Sequence, residues 1–411
     1  VADAVHLALD GTTVTTDDID AERAIASIGT RVRNTTRRTR TLRLEWQILA
    51  PSGAVVVTNS APVTVLPGED AIARTRLVVP PPELWGPDHP ALHEVRLTLR
   101  DGDSVLDTDA VIFGIRRLQL DVVHGLRING ERVDRRGACV HHDNGTLGAV
   151  THAVAEDRKV RLLKEGGVNA SRSAHNPASR ALLEACDRHG VLVMDELSDV
   201  WNTAKTGFDA SLGFDRRWQR DVASLVEKDR NHPSVIMYSI GNEILELATP
   251  HGATWSRRIA EEFRRLDSTR FITNGINGIL ANMDKMDDVL GELADADPNT
   301  LLTGLGEQMA AANASELVTS STEESAAVLD VVGFNYGDSR YELDAELFPN
   351  RVIVGSETFP DRIATLWADV RRFPLLIGDF TWTGFDYICE AGIGRVEYTD
   401  VEGYRSTGTA G

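Results

Sequence analysis

Two hydrophobic rhythms divide the chain. Over residues 1–116 polar and apolar residues alternate in short runs, as in Arg43-Leu44-Glu45-Trp46-Gln47-Ile48-Leu49 and Glu94-Val95-Arg96-Leu97-Thr98-Leu99. A period of two puts Leu44, Trp46 and Ile48 on one face of a strand and Glu45 and Gln47 on the other, which predicts one buried face. Turn formers separate the runs: Pro51-Ser52-Gly53, Pro67-Gly68, Pro80-Pro81-Pro82 and Asp101-Gly102-Asp103. About seven short strands at hairpin spacing predict a two-sheet β-sandwich of about 100 residues.

After about residue 117 short apolar strands alternate with helical stretches. Val191-Leu192-Val193-Met194 runs into Asp195-Glu196, and Val235-Ile236-Met237-Tyr238-Ser239-Ile240 into Gly241-Asn242-Glu243. Phe271-Ile272-Thr273, Val331-Val332-Gly333-Phe334 and Val352-Ile353-Val354 behave alike, ending in Asn274-Gly275, Asn335-Tyr336 and Gly355-Ser356-Glu357. Helical runs lie between them over 156–165, 179–189, 218–229 and 255–266. Uniformly apolar strands with intervening helices indicate parallel strands buried on both faces. Polar residues gathered at the C-terminal strand ends are the mark of a (β/α)₈ barrel, whose chemistry sits on that face. A doubly wound sheet would give similar alternation, but no GxGxxG or GxxxxGK phosphate loop is present. The stretch from Ala281 to Val328, with its acidic run Asp284 to Asp297, reads as helices plus loop, more a solvated insertion than a lid.

Composition narrows the partners. With 43 basic and 62 acidic residues the 411-residue chain carries a formal charge of −19, which argues against nucleic acid and membrane surfaces. No run approaches the roughly 18 apolar residues of a membrane span. Only five basic residues are Lys. The basic run Arg31, Arg33, Arg37, Arg38, Arg40 and Arg43 alternates with Val, Thr and Leu and is expected on outward strand faces. Cys139, Cys186 and Cys389 are too few and too scattered for a disulfide framework or a zinc site, so free thiols in the cytoplasm are expected.

Two carboxylates dominate the candidate chemistry. Glu243 closes the fourth barrel strand and Glu357 the seventh. Those strands lie nearly opposite, so their ends face each other across the mouth. Glycosidic cleavage needs such a pair: one carboxyl protonates the leaving oxygen, the other attacks the sugar. Two such roles call for one raised and one depressed carboxyl pKa. Arg172 ends the second strand and could keep a carboxylate ionised. Asn242, His141 and His175 could bond sugar hydroxyls. Tyr336 ends the sixth strand within reach of a carboxylate on the seventh. Trp382 ends the eighth and could floor a sugar subsite. Each of these residue types is also common in purely structural settings.

The motifs resemble those of glycoside hydrolase family 2, which includes β-galactosidases, β-glucuronidases and β-mannosidases. Asn129-Gly130-Glu131 followed by Arg136-Gly137-Ala138-Cys139-Val140-His141-His142-Asp143 is similar to the family's opening barrel strand. Asn169-Ala170-Ser171-Arg172-Ser173-Ala174-His175-Asn176-Pro177 resembles its second strand. Asp229-Arg230-Asn231-His232-Pro233 with Gly241-Asn242-Glu243 is similar to its acid/base signature, and Gly355-Ser356-Glu357 and Phe380-Thr381-Trp382-Thr383-Gly384 to its nucleophile and last strands. The resemblance implies an immunoglobulin-like β-sandwich, residues 1–117, then a catalytic (β/α)₈ TIM barrel, residues 118–411. It implies Glu243 as acid/base, with a raised pKa, and Glu357 as nucleophile, with a depressed one, of a retaining exo-β-glycosidase, with Arg172 and Tyr336 near the nucleophile. His141, His175, Asn242 and Trp382 fall in the implied sugar subsite.

The implied partner is a small carbohydrate, most readily a β-galactoside; assembly into a homo-oligomer stays open. No organic cofactor is implied. Val200 and Asn202 stand where magnesium-dependent members carry an acidic residue and a His, so no metal is expected. No Asn-x-Lys pair of the uronate-binding type follows Trp382. The Gly- and Thr-rich ending at 398–411 is expected to leave the barrel without its last helix, as in a fragment.

Overall fold

The computed structural model describes residues 3–285 and 308–385. Seven strands build the N-terminal sandwich: β1 (Val5–Asp17), β2 (Ala24–Asn34), β3 (Arg40–Leu49), β4 (Val55–Val65), β5 (Asp70–Val79), β6 (His93–Asp101) and β7 (Ser104–Phe113). They form two antiparallel sheets, β1-β2-β5 and β4-β3-β6-β7. Leu44, Trp46 and Ile48 all point inward and are fully buried, packed with Ile28, Val95 and Leu97. Trp46 Nε1 donates to Thr30 Oγ1 (3.1 Å), which joins the sheets through the core and satisfies an indole N–H that burial would otherwise strand. Of the basic run, Arg33, Arg37, Arg38 and Arg43 are exposed, while Arg31 reaches across to Glu227 of the barrel (2.8 Å).

A small antiparallel sheet follows, β8 (Leu118–Asp121), β9 (Gly125–Ile128) and β10 (Glu131–Arg132). Here the sequence expectation needs correcting. Asn129 and Gly130 do not open the barrel: both have positive φ, 56° and 89°, and form the two-residue turn between β9 and β10. Asn-Gly suits such a turn because both positions need left-handed backbone. The sheet packs Leu126 and Ile128 against the apolar residues of the barrel floor.

Eight parallel strands close the barrel: β11 (Arg135–Val140), β12 (Ala170–Ser173), β13 (Leu192–Glu196), β14 (Val235–Asn242), β15 (Phe271–Ile276), β16 (Val332–Asn335), β17 (Ile353–Thr358) and β18 (Leu376–Thr381). β18 pairs back with β11. Every residue of β14 is buried, as the uniformly apolar pattern requires of a strand covered on both faces. Helices α1 (Ala153–Glu165), α2 (Arg180–His189), α3 (Phe214–Asp229) and α4 (Pro250–Leu266) lie between the early strands. Ser179 caps α2 by accepting from Leu182 N (3.1 Å), and Thr249 caps α4 by accepting from Gly252 N (3.1 Å).

The sandwich is bonded to the barrel through the segment before β14. Asn231 Oδ1 accepts from Val14 N (2.9 Å) and its Nδ2 donates to Thr12 O (2.8 Å), taking both amide ends into the β1 backbone. His232 Nδ1 lies 2.6 Å from Asp187 Oδ2. The signature segment Asp229-Arg230-Asn231-His232-Pro233 is therefore junction structure, away from the mouth.

The segment after β15 is only partly described. Most of the acidic run lies outside the described residues, as do the positions where a last barrel helix would fall, Cys389 and the stretch that an Asn-x-Lys pair would occupy. The described part is more than a solvated insertion. Helix Glu316–Ala326 bonds to the barrel through Ser325 Oγ and Leu247 O (2.7 Å), and buried Asn313 donates to Tyr336 O (3.1 Å).

Candidate active site

The site grows from the C-terminal strand ends. Glu243 directly follows β14, and Tyr336 directly follows β16. Both adopt left-handed backbone, φ 45° and 52°, which costs a non-glycine residue about 1 to 2 kcal/mol. Short backbone bonds hold each in place: Glu243 N to Gly275 O and Tyr336 N to Glu357 O, both 2.7 Å.

Arg172, at the end of β12 and fully buried, joins the constellation together. Its Nη1 donates to Glu357 Oε2 (3.0 Å) and Ser356 O (3.0 Å). Its Nη2 donates to Glu196 Oε2 and Asn242 Oδ1, each at 2.7 Å, and Nε donates to Glu196 Oε2 (3.1 Å). Gly275 makes room for it: a Cβ there would stand 2.7 Å from Arg172 Nη2. Glu357 receives two further donors, Tyr336 Oη at 2.6 Å and Asn335 Nδ2 at 3.1 Å. Glu243 has a separate partner, Asn277 Nδ2 at 2.8 Å from its Oε1.

The two carboxylates beside Arg172 titrate in opposite directions. Burial would raise both. For Glu196 the Arg172 guanidinium, His175 and Ser239 outweigh burial and hold the carboxyl down to about 2. For Glu357 burial wins: it raises the carboxyl above its ordinary value, Arg172 and His175 only partly offset this, and the facing charge of Glu243 adds to the rise. This corrects the expectation of a depressed Glu357. Arg172 turns two nitrogens to Glu196 and one to Glu357, so its stabilisation is unequally shared.

His175, Trp382 and His141 form one wall. His175 stacks flat on Trp382 (centroids 5.1 Å, interplanar 1°), and His141 meets both rings edge-on at 5.6 and 5.1 Å. One face of Trp382 is thus occupied by imidazole. His175 Nδ1 lies 2.9 Å from ionised Glu196, which can only accept, so Nδ1 carries a proton; Nε2 is 3.9 Å from Glu357 Oε2. Burial, with His175 and His142 close by, pushes His141 down to about 4. It is therefore neutral near pH 7, with one ring nitrogen a donor and the other an acceptor.

All eight sequence-derived residues gather at this mouth: Glu243, Glu357, His141, Arg172, His175, Asn242, Tyr336 and Trp382. Asn242 is more committed than expected. Its Oδ1 accepts from Arg172 and from Asn335 Nδ2 (2.8 Å), and its Nδ2 donates to Asp199 Oδ1 (2.8 Å). Sequence reasoning passed over Glu196, Asn335, Asn277, Asp199 and Lys205. Lys205 Nζ bonds both Asp199 Oδ1 (2.7 Å) and Asn242 O (3.0 Å). Glu196 and Asn335 end β13 and β16, so the strand-end rule that found Glu357 would have found them too. Val200 is buried, and Asn202 N donates to Glu246 Oε1 (2.8 Å). Neither side chain offers a carboxylate or imidazole to a metal.

Comparison with known proteins agrees with this architecture. The family profile "Glycosyl hydrolases family 2" matches residues 5–116, and "Glycosyl hydrolases family 2, TIM barrel domain" matches residues 122–302. A β-galactosidase of Bacteroides ovatus is 28% identical over 94% of this chain and 50% of its own length. A β-glucuronidase of Bacteroides fragilis is 26% identical over 57% of this chain and 34% of its own. The crystal structure of a glycosyl hydrolase family 2 member from Bacteroides cellulosilyticus superposes with a TM-score of 0.82 at 36% identity, covering 96% of this chain and 46% of that one. The chain spans about half the length of the relatives it matches over most of its own length. Two matched profiles of one family, a sandwich followed by a closed eight-stranded barrel, and a 36%-identical structure of the same family place the chain in glycoside hydrolase family 2.

Proposed function

We propose that this chain carries the catalytic centre of a retaining exo-β-glycosidase acting on terminal β-D-galactosides. The observation that carries the reading is the unequal setting of two facing carboxylates. Glu357 is gripped by Arg172, Tyr336 and Asn335, whereas Glu243 is touched by the neutral amide of Asn277. A gripped carboxylate suits a nucleophile, since its oxygen must be aimed and ionised; a carboxyl bonded only by an amide suits proton traffic.

In the first step a Glu357 oxygen bonds to the anomeric carbon while the glycosidic C–O bond breaks and Glu243 gives its proton to the leaving oxygen. In the second, Glu243 takes a proton from water, the water oxygen bonds to the anomeric carbon, and the Glu357 ester is released. Two inversions give net retention. Arg172 and Tyr336 aim the nucleophile, and neutral His141 is placed to bond sugar hydroxyls.

A neutral sugar is favoured because Lys205 is already held by Asp199. Among the described residues at the mouth no unpaired cation awaits a uronate. A β-glucuronidase is the second reading, since relatives of both names match the chain. Chromogenic β-D-galactoside, β-D-glucuronide and β-D-mannoside distinguish the readings. At least tenfold higher kcat/KM on the galactoside supports the first; a glucuronide preference supports the second. Sugar binding without turnover of any of the three would make this a carbohydrate-binding protein.

A further inference from the structure

At the far end of the barrel from Glu243 and Glu357, a cleft of about 460 Å³ opens between the sandwich, the linker and the barrel floor. Five arginines line it: Arg116 and Arg117 from the linker, and Arg230, Arg264 and Arg270 from the loops before β14, β15 and the helix between them. Only one described lining residue, Asp330, is acidic, and it is engaged by Arg264 (2.9 Å). Arg270 is matched from behind by Asp267 (3.1 Å).

The other three have no carboxylate partner among the described residues. They donate to backbone carbonyls instead. Arg116 reaches Pro233 O (2.6 Å) and Val235 O (2.7 Å), Arg117 reaches Ile19 O, and Arg230 Nη2 reaches Asp10 O (2.6 Å). Arg230 Nε is buried with no hydrogen-bond partner among the described residues. Burial and the neighbouring Arg270 guanidinium both disfavour the charge on Arg116.

Surplus like charges lining a partly closed cleft are costly unless an anion joins them, and guanidinium forks match tetrahedral oxyanions with paired N–H donors. Thr16 and Ser268 also line the cleft, the Thr16 hydroxyl donating to Arg116 O (3.3 Å). The overall charge of −19 does not oppose this, because salt screens exposed charges beyond about 8 Å at physiological ionic strength.

We infer that this seam is a phosphoryl-anion site, formed by Arg116, Arg117 and Arg230, that ties the linker to the barrel floor. Both inorganic phosphate and the phosphate group of an ester present the required dianion. The occupant lies away from the catalytic mouth, so it stabilises the chain without competing with substrate.

The test is calorimetric titration of the chain with inorganic phosphate, and separately with a hexose 6-phosphate, at slightly alkaline pH and matched ionic strength. Saturable binding with Kd at or below about 1 mM is expected, with a matching rise in Tm. Binding of phosphate alone would make the free anion the occupant; tighter binding of the ester would make it a phosphorylated metabolite. Arg230→Gln and the exposed Arg117→Gln should each weaken binding at least about tenfold. Arg96→Gln, on the sandwich outside the cleft, should leave it unchanged. If Arg230→Gln fails to fold, Arg117→Gln carries the comparison. No saturable binding by the unmodified chain, or equal binding by Arg117→Gln, would overturn the inference and leave these arginines as ties to backbone carbonyls only.

Discussion

Arg172 lies 3.0 Å from Glu357 through one nitrogen and 2.7 Å from Glu196 through another, so one buried guanidinium serves two carboxylates at once. Its five donors form a planar fork that an ammonium cannot reproduce. Arg172→Lys should therefore lower kcat by about 10² to 10³-fold, with little change in KM, and leave Glu196 and Asn242 without their shared donor. Steady-state kinetics on a chromogenic substrate check this. Near-normal kcat in the Lys variant would show that charge alone suffices.

The raised Glu357 carboxyl gives a pH signature. Turnover needs the carboxylate, so activity is present above its pKa and is lost as pH falls through it. Because burial raises that pKa, the acid limb of kcat/KM should lie above the ordinary glutamate value. The Tyr336 hydroxyl bonds the charged form and lowers the pKa. Tyr336→Phe should thus shift the acid limb to still higher pH. An unmoved limb would mean that another group sets it.

Most of the architecture was legible in residue order. Alternation revealed the seven-strand sandwich, and apolar runs ending in polar residues revealed the barrel with Asn242, Glu243, Tyr336 and Glu357 at its mouth, while His141, Arg172, His175 and Trp382 were placed from their sequence motifs. Three things were not legible. The Asn129-Gly130 turn looked like part of a barrel strand because a short hairpin flush against one carries no separate periodic signal. Asn277, Asp199 and Lys205 sit in loops, where position depends on packing and not on period. The direction of the Glu357 shift could not be read because it depends first on how deeply the strand end is buried, and then on how Arg172 divides its donors between Glu357 and Glu196, 161 residues apart in the chain.

Glu243 is bonded only by Asn277 among the described side chains. As acid it matters most when the leaving group needs a proton. Glu243→Gln should reduce kcat about 10² to 10⁴-fold on alkyl glycosides and far less on nitrophenyl glycosides. Glu243→Ala with added azide should yield the β-glycosyl azide. Equal losses across leaving groups would remove Glu243 from the acid role.

One buried charge works against stability. Arg135 on β11 is fully buried, and none of its three guanidinium nitrogens finds a hydrogen-bond partner among the described residues. Burying a charge without a partner is unfavourable, and apolar replacement of buried charged groups is often stabilising. Arg135→Leu should raise the unfolding free energy by about 1 to 4 kcal/mol, read as a higher urea midpoint at unchanged slope. A lower midpoint would reveal a partner that the guanidinium needs.

The central claim is that Glu357 attacks the sugar. Its most direct test is covalent trapping with 2-deoxy-2-fluoro-β-glycosyl fluorides of the galacto, glucurono and manno series. The fluorine slows both steps and the good leaving group restores only the first, so the ester accumulates. Intact-mass analysis should show one fluorosugar per chain, largest for the galacto reagent, and peptide mapping should place it on Glu357. Glu357→Gln should take up none. A label on any other residue, or no label on a chain that turns over the matching substrate, would contradict the account.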